Sequence, residues 1–104
     1  SKLRYLVLSH NPLESWEGAE WDKLVCLEKL VCNYTSLSSI PNIPFLKYLE
    51  MTHCLIDQLP TKSNLDNIEY LDLSDNSIEF IPLWMESLVN LTNLYLSNNR
   101  LSFI

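Results

Sequence analysis

Few side chains in this 104-residue chain have the chemistry to hold a metal or attack a substrate: three cysteines, two histidines and thirteen carboxylates stand out. His53 and Asp75 resemble a general base with its orienting acid. A base of this kind needs a nucleophile within reach, and no recognisable serine or cysteine motif accompanies the pair. Cys32, His53 and Cys54 are soft ligands of the type zinc takes, yet none of the cysteines shows close C-x-x-C spacing. Three cysteines (Cys26, Cys32, Cys54) cannot all pair within the chain, so reduced, buried thiols are expected. The residues therefore point away from an enzyme, and no metal or cofactor is expected.

The backbone that carries these residues shows itself through spacing. Leu3-x-x-Leu6-x-Leu8-x-x-Asn11-x-Leu13 recurs as Leu27-x-x-Leu30-x-Cys32-x-x-Thr35-x-Leu37 and as Leu46-x-x-Leu49-x-Met51-x-x-Cys54-x-Ile56. It returns as Ile68-x-x-Leu71-x-Leu73-x-x-Asn76-x-Ile78 and Leu91-x-x-Leu94-x-Leu96-x-x-Asn99-x-Leu101. The starts are 24, 19, 22 and 23 residues apart. Leu71 and Leu73 alternate with polar Asp72 and Ser74, which predicts short strands with one side inward and one toward water. The intervening chain must return to start the next strand in parallel. Stacking buries one continuous apolar column that no single unit can hide alone. On such strands Cys32 and Cys54 point inward and His53 outward, so the three do not converge on a metal.

This pattern resembles the leucine-rich repeat family, over nearly the whole chain and at about seven constrained positions per unit. The resemblance implies an α/β solenoid: a curved array with a concave parallel sheet of about five strands and irregular or short helical convex segments. It makes residues 1–104 one repeat segment, with units starting near 3, 27, 46, 68 and 91. It also implies that Asn11, Asn76 and Asn99 point inward and bond backbone groups of adjacent turns. Thr35 and Cys54 stand at the same position, and their poorer hydrogen-bonding capacity marks the weakest part of that ladder.

Ile40-Pro41, Leu59-Pro60 and Ile81-Pro82 resemble the Leu-Pro or Ile-Pro step of the family's typical intracellular subclass. The spacing predicts short helices over Pro82–Asn90 and Ala19–Cys26. It leaves Pro41–Phe45 extended, with Ile43 or Phe45 plugging the core. Complete arrays carry polar capping units, and neither end here reads as one, so a longer array is expected.

The outward positions form rows across the strands. Arg4, Glu28, Lys47, Glu69 and Thr92 alternate in sign and suit a self-neutralising surface. Tyr5, Lys29, Tyr48, Tyr70 and Asn93 form a second row, and Val7, Val31, Glu50, Asp72 and Tyr95 a third. His10, Tyr34, His53, Asp75 and Asn98 form the last. Exposed tyrosines suit a strand face and are also enriched at binding hot spots. The candidate partner-binding residues are therefore Tyr5, Tyr34, Tyr48, Glu50, His53, Tyr70, Asp72, Asp75 and Tyr95. Glu69, Asp72 and Asp75, together with Glu50 on the adjacent strand, make the surface of the fourth unit acidic, suited to a basic patch on a protein ligand.

A net charge of -6 disfavours nucleic acid and anionic lipid. No apolar run approaches the roughly 20 residues of a membrane-spanning helix. Ser1 to Leu8 lacks the long apolar core of a secretory signal, which leaves a parent chain free to carry one. Asn33-Tyr34-Thr35 and Asn90-Leu91-Thr92 fit the glycosylation pattern, in a number that chance alone supplies.

The subclass and the unpaired cysteines favour a cytoplasmic scaffold or targeting module, similar to the arrays of Ras-pathway scaffolds and fungal adenylyl cyclases. The alternatives are the ligand-binding ectodomain of a receptor, or a substrate-recruiting array beside a cyclase, phosphatase or ubiquitin ligase domain. The concave patch of five strands measures roughly 400 Å², about half of one partner's usual share, so a tight partner must reach beyond it.

Overall fold

A computed structural model describes residues 2–18 and 20–102. Each apolar-polar alternation in the sequence becomes a three-residue strand: β1 Tyr5–Val7, β2 Lys29–Val31, β3 Tyr48–Glu50, β4 Tyr70–Asp72 and β5 Asn93–Tyr95. All neighbours pair in parallel, in chain order, as a solenoid must. The register aligns Leu6, Leu30, Leu49, Leu71 and Leu94 at the strand centres. With a side-chain period of two, that alignment sends one residue per strand into the core and its two neighbours outward.

Leu30, Leu49 and Leu71 are fully buried, with Leu27, Leu46 and Ile68 below them and Leu37, Ile56 and Ile78 beyond. Each such side chain contributes about 1.5 to 3 kcal/mol relative to exposure. Leu3 and Leu94 are 41% and 39% exposed, because β1 and β5 each have one neighbouring strand instead of two.

The polar ladder follows the same logic. The Asn76 side-chain amide donates to the Met51 carbonyl of the preceding turn at 2.8 Å and to Leu73 of its own turn at 3.0 Å. Its oxygen accepts from the Ile56 amide at 3.1 Å. Asn99 repeats the arrangement with the Leu73 carbonyl and the Ile78 amide. Asn11 departs from expectation: it is exposed and, among the described residues, bonds Leu8 and Ser9 of its own turn, with no strand before β1 among them to reach. Cys54 substitutes with its thiol, which donates to the Cys32 carbonyl at 3.1 Å. Thr35 donates to Cys32 within its own turn at 3.3 Å and meets the Cys54 sulfur at 3.2 Å. A hydroxyl and a thiol hold here what the amides hold elsewhere with more bonds.

The convex side is thinner in helix than the spacing suggests. Leu83–Ser87 and Trp21–Lys23 form 3-10 turns, the first immediately after Pro82; Ala19, where the second expected helix begins, lies outside the described residues, as do Ser1, Phe103 and Ile104. Segments of three and five residues fix too few hydrogen bonds to offset the cost of nucleating an α-helix. Tryptophans tie the outer segments together: the Trp16 indole donates to the Ser39 carbonyl and the Trp84 indole to the Pro60 carbonyl, at 2.8 and 2.7 Å. Between Pro41 and Phe45, Ile43 fills the core and Phe45 stays 55% exposed.

The cysteines correct one expectation. Cys32 and Cys54 are buried and free, but Cys26 is exposed, because the adjacent Leu27 takes the inward place. Burial, with a smaller effect of Cys54, pushes the Cys32 thiol from its ordinary 9.0 up to about 12. Iodoacetamide at neutral pH is therefore expected to modify Cys26 alone of these three thiols until the chain unfolds, read by mass spectrometry of digested protein; native modification of Cys32 would contradict the packing. In the unfolded chain Cys32 ionises first, so its contribution to stability falls as pH rises from 9.0 toward about 12.

Candidate protein-binding face

The concave sheet presents two rows of charge and aromatic groups whose fates differ. In the first, Arg4 approaches Glu28 at 3.8 Å and Lys47 approaches the same carboxylate at 3.3 Å. Both cations are more than half exposed, so screening leaves these pairs a small effect on stability. Glu69 joins Thr92 only through its backbone carbonyl, which accepts the threonine hydroxyl at 3.0 Å.

The tyrosines assemble into a terrace. Tyr48 and Tyr70, aligned across β3 and β4, stack at 4.1 Å with planes 3° apart. Tyr95 leans in diagonally from the neighbouring row, 5.5 Å from Tyr70 and tilted by 51°. The Lys29 ammonium caps the opposite end, 4.3 Å from the Tyr48 ring centre. Tyr5, 67% exposed, aligns with Lys29 and so is separated from the stack by it.

Beside the terrace, Glu50 and Asp72 stand in register on adjacent strands. The Tyr48 hydroxyl donates to Glu50 at 2.8 Å, and the Asn33 amide reaches its other oxygen. Asn33 also accepts the Thr52 backbone amide at 2.8 Å, locking the bridge. Partial burial, then the hydrogen bond to Glu50 and the neighbouring Tyr70 phenol, push the Tyr48 phenol well above its usual range. Asp72 accepts the Ser74 amide at 3.0 Å.

A second ledge runs along one edge of the sheet. His10, Tyr34 and His53 stack nearly parallel at 4.7 and 4.3 Å. His53 then meets Asp75 at 3.5 Å, and Asn98 donates to Asp75 at 2.9 Å. All five residues have positive φ, between 54° and 61°. At each repeat the chain makes the same left-handed turn away from the sheet, a conformation in which histidine, asparagine and aspartate are enriched among non-glycine residues.

Of the nine residues expected to bind a partner, Tyr48, Glu50, Tyr70, Asp72 and Tyr95 thus share one continuous surface. Tyr34, His53 and Asp75 share the ledge, and Tyr5 lies apart. Asn33, which the sequence marks only as part of a glycosylation pattern, organises Glu50 through a register that only the folded sheet supplies. His53 and Asp75 do sit together, but Tyr34 covers one face of the imidazole. Among the described residues no three His, Cys, Asp or Glu side chains converge to hold a metal, and no helix is long and apolar enough to cross a membrane.

Comparison with known proteins agrees with this architecture. The leucine rich repeat family model matches residues 44–101, and a second leucine rich repeat model matches residues 2–24. Lumican of Homo sapiens is 33% identical across 98% of this chain, and chaoptin of Drosophila melanogaster 35% across 97%. Leucine-rich repeats and immunoglobulin-like domains protein 2 of Mus musculus is 32% identical across 98%. The chain spans 38%, 8% and 10% of those three proteins, respectively. The five-fold pattern, the parallel sheet and these matches agree: the chain belongs to the leucine-rich repeat family.

Proposed function

We propose that this chain is a non-catalytic, protein-binding segment of a longer leucine-rich repeat array in a secreted protein or receptor ectodomain. The observation that carries the binding surface is the terrace of Tyr48, Tyr70 and Tyr95 on the concave side. Stacked rings present rigid contact area at low entropic cost, as hot-spot residues do. The similarity to lumican, to chaoptin and to a protein whose name joins leucine-rich repeats with immunoglobulin-like domains favours the ectodomain reading over the cytoplasmic one. The cytoplasmic, signalling-scaffold expectation gains no support from these relatives, and the Ile-Pro subclass alone does not carry it.

The test uses the full-length protein as bait, wild type against a Tyr48→Ala, Tyr70→Ala double variant. The expected result is at least about a tenfold loss of affinity for one partner, with the circular dichroism spectrum unchanged. Equal binding by both proteins sinks the concave assignment and moves recognition to the convex side or to other repeats.

A further inference from the structure

We infer that the concave terrace receives an arginine side chain from an extended segment of the partner, laid over the exposed Tyr95 ring and against Asp72 and Glu50. This rests on the concave sheet being the binding surface and names the chemistry it selects. The sheet itself supplies the contrast that points to a cation. In the Arg4 row, Glu28 lies between two positive side chains of its own chain. In the third row, Glu50 and Asp72 are aligned in register, an arrangement in which like charges repel. Their hydrogen-bond donors are neutral: a phenol, a carboxamide and a backbone amide. Among the described residues, no cationic group lies within 4.0 Å of either carboxylate.

The aromatic half of the surface points the same way. Lys29 already places a cation 4.3 Å from the Tyr48 ring at one end of the stack. At the other end Tyr95 packs at a tilt on Tyr70 and stays 42% exposed, and Asp72 aligns with Tyr95 in the register. A guanidinium suits a ring beside a carboxylate better than an ammonium does, since its plane stacks on the ring while its fork engages the carboxylate. The chain's net charge of -6 further favours approach of a basic segment.

The probe is a fluorescent, otherwise neutral Gly/Ser peptide carrying two arginines at alternate positions, compared with the same peptide bearing citrulline. Binding to the full-length protein is followed by anisotropy at about 0.15 M salt, where long-range attraction is screened. The arginine peptide is expected to bind about tenfold more tightly than citrulline. That ratio should fall toward one in a Glu50→Gln, Asp72→Asn variant, whose side chains keep acceptor oxygens for Tyr48 and Ser74. It should survive Glu79→Gln, which alters an exposed carboxylate off the strands. A ratio unchanged in the double variant, or lowered equally by Glu79→Gln, overturns the proposal in favour of generic charge attraction. Asp72→Asn alone, whose shape matches the native residue, guards against misfolding of the double variant. If the natural partner is lost with the tyrosine variant but kept by Glu50→Gln, Asp72→Asn, the arginine site fails while concave binding stands. If both variants keep the partner, the binding face itself has been misassigned.

Discussion

Asn76→Ala is expected to lower the unfolding free energy by about 3 kcal/mol or more, one of the two largest effects in the molecule. The substitution removes the donors to Met51 and Leu73 and the acceptor for Ile56. The side chain is 8% exposed, so water cannot readily replace them. Each lost bond contributes about 0.5 to 1.5 kcal/mol, and a buried group left unsatisfied costs about 1 to 3. Asn11→Ala, with both variants made in the 104-residue chain, supplies the comparison within the same ladder. Asn11 is exposed and bonds only its own turn, so its replacement should cost under about 1 kcal/mol. Denaturant titration of both variants checks the difference, and equal losses would contradict the inter-turn role of Asn76.

The second large effect belongs to Leu71→Ala, expected to cost about 3 to 5 kcal/mol, the upper part of the range for emptied leucine sites. Leu71 is fully buried at the centre of β4, with Leu49 and Leu94 as its register neighbours. Neighbours held by their own ladders cannot collapse into the space. In the 104-residue chain Leu94, one strand further and 39% exposed, has less to lose, and Leu94→Ala there should cost about 1 to 2 kcal/mol. In a solenoid each unit leans only on adjacent units, so position in the stack, more than residue type, sets the loss. Comparable destabilisation by both variants would mean that the core is not a stack of nearest neighbours.

The strands were legible in the sequence because a period of two, repeated five times, leaves little room for another backbone. The inward leucines and the outward rows follow from that alone. Local deviations were less legible. Cys26 read as buried from composition, and only its place beside Leu27 shows otherwise. Asn11 matches the ladder motif, but among the described residues no turn precedes it as one precedes Asn76 and Asn99. The left-handed turn carried signal: His10, His53, Asp75 and Asn98 belong to types that tolerate positive φ, and their shared repeat position marks the ledge. Tyr34 gave no such hint, since a bulky residue seldom adopts that conformation.

The candidate site was half visible. Tyr48 and Tyr70 fall in one row by counting, and so do Glu50 and Asp72. The approach of Tyr95 across rows and the Asn33 bridge to Glu50 depend on side-chain reach between strands, which counting does not capture. The same limit applies to the outer side. There Leu59, Pro60, Phe80 and Pro82 help line a dent of about 330 Å³ that no repeat position announces.

Hydroxyl-radical footprinting of the full-length protein, free and bound to the partner captured by wild-type bait, tests concave recognition most directly. Protection of Tyr48, Tyr70 and Tyr95, with Phe80 and Leu83 still reactive, is the predicted result. Protection of Phe80 and Leu83, with the three tyrosines reactive as in the free protein, would contradict it and place the partner on the outer side.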